Sequence, residues 1–402
     1  MKKLRQLIDK LKPTFSEGGK LGFLHSTFDG FETFLFVPKT TTKRGAHIRD
    51  AMDLKRVMTM VIIALVPALL FGMYNIGLQH ARAIGDIAMQ GAWLHCWWYG
   101  FLRMLPLIIV SYVVGLGIEF ITAQIKKEEI SEGYLVSGLL IPMIMPIDIP
   151  LWILALAVAF AVIFGKEVFG GTGMNIFNPA LLARAFVFFA YTSKISGDHV
   201  WIRGFGQGGP YIDGFSGATP LGYITEGVSA GSPTLDMGGY SLSDLFWGFI
   251  PGSIGEVSFF AIMLGAIFLL YTGIASWRTM FSVFAGGLLM GLIFNIVGGN
   301  PYMEMPAYYH WLLGGFAFGA VFMATDPVTA SQTNTGKIIT GLLIGMIAVL
   351  IRVVNPGYPE GMMLSILFMN ALSPLVDYFI VQANVKRRLK RAKVAGKEVG
   401  HE

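Results

Sequence analysis

The chain has 402 residues, 54% hydrophobic and only 14% charged, with 50 Gly, 31 Phe and a net charge of +5. That balance excludes an ordinary soluble domain and points to an integral membrane protein, in which small residues let helices approach closely. The single cysteine, Cys96, excludes an internal disulfide, a Cys-ligated zinc site and an iron–sulfur cluster held by this chain alone. The seven histidines show no facing pair for a haem, so no resident metal is expected.

Residues 1–55 read as a basic cytoplasmic arm, too polar for a cleavable signal peptide, with a short amphipathic helix over 4–11. Phe28, Phe31, Phe34 and Phe36 suggest a segment that packs on a partner or on the membrane surface. Apolar runs then predict ten transmembrane helices, over 57–74, 101–122, 134–145, 151–164, 179–191, 257–272, 280–297, 308–323, 338–354 and 362–381. An aromatic cluster of Trp93, Trp97, Trp98 and Tyr99 precedes the second. The expected organisation is a first five-helix half over 56–192, an outer loop over 193–256, a second half over 257–384 and a basic tail over 385–402. Several runs are short or broken by Pro and Gly, as expected where a cavity or a buried site exists.

Basic residues set the orientation. The arm up to Arg56 carries 12 Lys and Arg, the tail from Lys386 carries 7, and Lys126, Lys127, Lys166, Arg278 and Lys337 lie in loops on the same side. Only Arg82, Lys194, Arg203 and Arg352 fall in the opposite loops. The asymmetry puts both termini in the cytoplasm and the 193–256 loop outside, in the periplasm. It also accounts for the net charge without a nucleic-acid partner. A weak symmetry relates the halves. Asp148-Ile149-Pro150 follows the third run and Asp326-Pro327 the eighth; Asn178-Pro179 opens the fifth and Asn355-Pro356 precedes the tenth, at intervals of 30 and 29 residues. This suggests two inverted repeats, although such dipeptides are also ordinary turn openers.

The longest polar interval contains Asp213-Gly214-Phe215-Ser216-Gly217-Ala218-Thr219-Pro220. It reads as a turn that presents a hydroxyl, with Thr219 also suited to cap whatever follows Pro220. Asp-x-x-Ser/Thr-Gly-Ala-Thr/Ser is in addition the pattern at which a flavin transferase esterifies the last hydroxyl with FMN, and Asp213, Ser216, Gly217, Ala218 and Thr219 match every fixed position. The second notable stretch, Gly165-Lys166-Glu167-Val168-Phe169-Gly170-Gly171-Thr172-Gly173-Met174-Asn175-Ile176-Phe177-Asn178-Pro179, is no phosphate loop, because its Lys precedes the glycines. It suits either a tight turn or a site at which Asn175 and Asn178 hydrogen-bond a planar polar ring. Ionisable groups at membrane depth are costly and carry a functional expectation. Asp377 and Glu119 lie within or near apolar runs, whereas Glu132, Glu167 and Asp326 lie at cytoplasmic ends, where solvation suffices.

These stretches, with Ala324-Thr325-Asp326-Pro327 and Asn370-Ala371-Leu372-Ser373-Pro374-Leu375-Val376-Asp377, make the chain resemble the B-type membrane component of Na⁺-translocating NADH:quinone oxidoreductases over essentially its whole length. The related D-type component of Rnf-type ferredoxin:NAD⁺ oxidoreductases is the alternative; the long basic arm favours the former. The resemblance implies covalent FMN on Thr219, non-covalent riboflavin at Asn175 and Asn178, and a quinone site (ubiquinone or menaquinone) near Glu132-Gly133-Tyr134. It also implies Na⁺ transfer involving Glu132, Asp326 and Asp377, and five further components, A, C, D, E and F, in a bacterial inner membrane. A flavin transferase would be needed for maturation. A cofactor-free channel built from an inverted repeat is the reading from another class; it leaves the Asp213–Thr219 match to coincidence.

Overall fold

The computed structural model describes residues 2–15, 28, 32, 45, 54–126, 133–205, 211–212, 215–232, 234–355 and 361–399. Among them every regular element is a helix. α1 is Lys2–Phe15, α2 Leu54–Ile84, α3 Trp93–Lys126, α4 Tyr134–Ile144, α5 Leu151–Gly165 and α6 Pro179–Ala190. The 193–256 loop contributes α7, Pro220–Ser229; then follow α8 Phe259–Tyr271, α9 Trp277–Val297, α10 Asn334–Val354 and α11 Met362–Val399. Six spans, α2, α3, α5 together with the 3-10 turn that continues it to Phe169, α9, α10 and α11, are long and apolar enough to cross a membrane, and α4, α6 and α8 are shorter apolar helices. The chain is a multi-pass membrane protein. The eighth apolar run is broken into Tyr309–Leu312, Phe316–Phe318 and a π-helical turn, Gly319–Met323, with Gly314 at φ 58° in the break.

The short helices match the sequence expectation within a residue or two, and the long ones exceed it. α2 runs ten residues past its expected end because its polar groups find partners there. Asn75 donates to the Ile250 carbonyl (2.8 Å), Gln79 to Asn75 (3.2 Å) and Arg82 to the Phe249 carbonyl (3.0 Å). The aromatic cluster at Trp93–Tyr99 lies inside α3 rather than ahead of it. Arg352, expected in an outer loop, is a buried residue of α10. α11 continues through residue 385 without a break, since the Lys, Arg and Ala of the tail are good helix formers in water. At the other end α1 extends the expected 4–11 helix in both directions. Arg5 and Lys12 reach Glu32 at 3.0 and 2.8 Å, and Phe15 stacks on Phe28; Phe31, Phe34 and Phe36 lie outside the described residues.

Glycines set the closest helix contacts. An added Cβ on Gly100 of α3 would meet the Met73 carbonyl of α2, and one on Gly345 of α10 would meet the Val283 carbonyl and, at 2.6 Å, the Gly287 nitrogen of α9. Backbone atoms cannot swing aside, so a side chain there must separate the helices. Gly345→Val is therefore expected to destabilise the protein by roughly 1–3 kcal/mol, read as a lower thermal unfolding midpoint in detergent; an unchanged midpoint would contradict the close α9–α10 contact.

Candidate functional site

Two openings lie at opposite ends of α6; Thr219 lines one of them, and Gly133, Asn175, Asn178 and Asp326 line the other. The first is a cleft of about 280 Å³ lined by Arg184, Asp198, Trp201, Thr219, Thr225 and Glu226, among others. Thr219 is the N-cap of α7: its backbone is extended (φ −74°, ψ 158°) and its Oγ1 accepts the Gly222 N–H at 3.1 Å. Pro220 at the first helical position needs no partner for an N–H it lacks. The rest of the motif has local causes too. Ser216 Oγ accepts the Ala218 N–H (3.2 Å), Ala218 is buried, and a Cβ on Gly217 would lie 2.5 Å from the Asp198 carbonyl oxygen. Asp213 lies outside the described residues. Thr219 thus does cap the helix after Pro220, as one reading of the sequence had it, and its side chain also lines the cleft.

Beneath Thr219 a void of about 30 Å³ leads to Ser253, Glu256 and Gly314. Glu256 pairs with Arg184 at 3.1 and 3.3 Å, the two side chains 4% and 2% exposed. Ser253 Oγ donates to the same carboxylate, and Arg184 also donates to the Ile144 carbonyl at the C-terminus of α4. A guanidinium at this carbonyl end complements the helix dipole of α4 where the short helix stops. Arg352 does the same for the broken segment, donating to the carbonyls of His310 (2.8 Å) and Leu313 (3.0 Å).

The second opening, a cavity of about 110 Å³, is lined by Gly133, Lys166, Thr172, Asn175, Asn178 and Asp326, with apolar residues of α2, α4 and α8. Residues from the 165–178 loop and from the end of the broken segment therefore meet although 148 positions separate Asn178 from Asp326. Asn178 caps α6 by accepting the Ala180 and Leu181 N–H groups (2.9 and 3.4 Å), and its Nδ2 donates to Asp326 Oδ2 at 3.2 Å. Asn175 Nδ2 donates to the Phe177 carbonyl at 3.1 Å. Asp326 also accepts from the Val328 N–H (3.0 Å) and Thr329 Oγ1 (3.1 Å).

The remaining expected site residues lie elsewhere. Tyr134 is buried, its hydroxyl donating to the Ser111 carbonyl at 3.1 Å, while Gly133 alone of its stretch lines the second cavity; Glu132 lies outside the described residues. Asp377 accepts from Ser331 Oγ and Thr333 Oγ1 (both 2.5 Å) and from the N–H groups of Gln332 (2.7 Å) and Thr333 (3.2 Å). It clamps the loop that starts α10. Two buried ion pairs were not legible as pairs: Arg184 with Glu256, and Lys166 with Glu119. The available signal was that a lone charge in an apolar run requires an opposite one, without saying which.

The family model for NQR2, RnfD and RnfE matches residues 41–386. The chain belongs to this family. Its curated relatives include the B-type component of the Na⁺-translocating NADH-quinone reductase of Chromohalobacter salexigens, 46% identical over 96% of both chains. The proteins of the same name from Stutzerimonas stutzeri and Klebsiella pneumoniae are each 44% identical over 96% of this chain and 99% of theirs.

Proposed function

We propose that the chain is the flavin-carrying membrane component of a Na⁺-translocating NADH:quinone reductase, with FMN esterified to Thr219, and that it works with five partner chains. The observation that carries this reading is the position of Thr219: the last residue of a complete flavinylation motif lines the wall of a 280 Å³ cleft. The residues there fit a phosphate ester. Thr219 precedes a ten-residue helix whose first free N–H groups and dipole favour an anion, and Arg184, its guanidinium already paired with Glu256, lines the same wall beside Asp198 and Glu226. The cleft is near the lower end of the roughly 300–1,000 Å³ usual for small-molecule sites. When bound, an isoalloxazine supplies the electron chemistry; the chain anchors it, orients it and shields it from water.

A non-covalent riboflavin at Asn175 and Asn178 fits less completely. The second cavity holds one polar edge of a ring rather than all of it, being well under the roughly 300 Å³ lower bound, and both amide groups already serve the local fold. The rest of such a site would come from groups around the opening. Quinone reduction near Gly133 and Na⁺ transfer involving Glu132, Asp326 and Asp377 belong to the same reading. So do the inverted relation of the two five-helix halves and a bacterial inner-membrane location with both ends cytoplasmic and Thr219 outside. The high identity to the B-type proteins favours this assignment over the D-type component of an Rnf complex, which the absence of NADH:quinone activity in the assembled complex would restore.

The test is in-gel flavin fluorescence after co-expression with a flavin transferase. A fluorescent band near 44 kDa, lost in Thr219→Val, is the expected result; a dark wild-type band would remove the anchor and favour a cofactor-free channel. For the ion path, Asp377→Ala is expected to weaken Na⁺ stimulation of quinone reduction with flavin content intact. Unchanged Na⁺ dependence would leave Asp377 only its role as the clamp of residues 331–333.

A further inference from the structure

Arg103 is a charged residue of a membrane-crossing helix to which the proposed function gives no role. It lies in α3, inside the second apolar run, and it is exposed. Among the described residues no carboxylate and no carbonyl takes its N–H groups. Its guanidinium carbon sits 5.2 Å from the centroid of the Tyr99 ring, one turn earlier in α3. Helical side chains lean towards the N-terminus of their helix, and this contact shows the guanidinium directed to the Trp93 end. Trp93 and Trp98, 67% and 52% exposed, mark that end as a membrane–water interface. The opposite end of α3 carries Lys126. At 1.5 Å per residue the two cations lie about 35 Å apart along the helix, slightly more than the roughly 30 Å of a hydrocarbon core. Arg103 is therefore held at the level of the headgroups of one leaflet.

A guanidinium at that depth has hydrocarbon on one side and the polar boundary on the other, so an anion at the boundary is what its N–H donors require. Further from the Trp93 end, α3 exposes Pro106, Ile109 and Val113 on the adjoining face. The arrangement sets a planar donor fork, which matches a phosphate, above an apolar strip, which matches acyl chains. We propose that Arg103 binds the phosphate of a membrane phospholipid, with the Tyr99 ring holding the guanidinium in place. A carboxylate on a neighbouring transmembrane helix would also satisfy the charge, but it would first have to be brought to the edge of the hydrocarbon at a cost. The lipid phosphate is already there. The site calls for no flavin and no Na⁺, and it holds whichever side of the membrane this end of α3 faces, since phosphates line both surfaces of a bilayer.

The test uses the intact detergent-solubilised complex. Its co-purifying phospholipid phosphorus is quantified, and its thermal midpoint is followed as phosphatidylglycerol is added back. Arg103→Leu is expected to retain about one phospholipid fewer per complex and to need roughly tenfold more phosphatidylglycerol for half-maximal stabilisation, as befits the loss of a charge-assisted hydrogen bond. Arg103→Lys keeps the charge without the fork and is expected to fall between Arg103→Leu and wild type. Inorganic phosphate at the same concentrations is expected to stabilise none of them. Wild-type phosphorus content and a wild-type response to lipid in Arg103→Leu would overturn the proposal. Stabilisation by inorganic phosphate equal to that by lipid would overturn it too. So would loss of a partner chain from the Arg103→Leu complex, which would give the guanidinium to a carboxylate of that chain. Should Arg103→Leu not accumulate, Arg103→Gln decides by the same two measurements.

Discussion

Arg184→Ala is expected to be among the most damaging single substitutions in the chain, lowering stability by about 3–5 kcal/mol. The variant leaves the Glu256 carboxylate buried at 4% exposure and without its guanidinium, and removes the cation from the Ile144 carbonyl that ends α4. Ser253 still donates to that carboxylate, but a hydroxyl does not neutralise it. An isolated buried charge costs far more than the pair it came from contributed. The double variant Arg184→Met with Glu256→Leu is accordingly expected to be more stable than Arg184→Ala alone, although still below wild type because the Ile144 carbonyl and Ser253 hydroxyl lose partners. Thermal aggregation followed by size-exclusion chromatography in detergent reads both. Equal stability of Arg184→Ala and wild type would mean that Glu256 finds another cation or stays protonated. A double variant worse than either single change would mean that the pair is replaced by poor packing rather than by an apolar contact.

The parts of this architecture that were legible in the sequence are those fixed by local pattern. The helices α4, α5 and α6 are bounded by Pro146, Pro150 and the Asn178-Pro179 cap, signals that operate within one turn, so their expected limits held. The end of α2 was misplaced because what extends it is distant. Asn75 and Arg82 look like loop residues until Ile250 and Phe249, 175 and 167 positions away, offer carbonyls. The second cavity follows the same rule. Asn178 was recognisable as a polar group beside a Pro, and Asp326 as one ahead of another, but their contact crosses 148 positions and follows from the tertiary fold. Asp377 stands out in the sequence as a charge within an apolar run, but the hydroxyls of Ser331 and Thr333 that take its carboxylate lie 46 and 44 positions away.

Thr219→Asn should abolish covalent flavin completely while leaving the 193–256 loop folded, and this separates two roles that Thr219→Val removes together. The threonine hydroxyl is at once the proposed ester acceptor and the cap of α7. A valine removes both, and the loss of the cap alone costs about 1 kcal/mol, so missing fluorescence in that variant could reflect a frayed helix that the transferase no longer recognises. Asparagine is among the best capping residues and offers its side-chain oxygen to the Gly222 N–H, but it has no hydroxyl to esterify. Thr219→Ser keeps both functions and the motif, and is expected to retain fluorescence. The expected pattern is thus a bright band for wild type and Thr219→Ser, a dark band for Thr219→Asn, and comparable thermal midpoints for all three. Fluorescence surviving in Thr219→Asn would place the flavin on another residue. A dark Thr219→Ser band at a wild-type midpoint would mean that the methyl group, and with it the rotamer it fixes, determines whether the hydroxyl reaches the transferase.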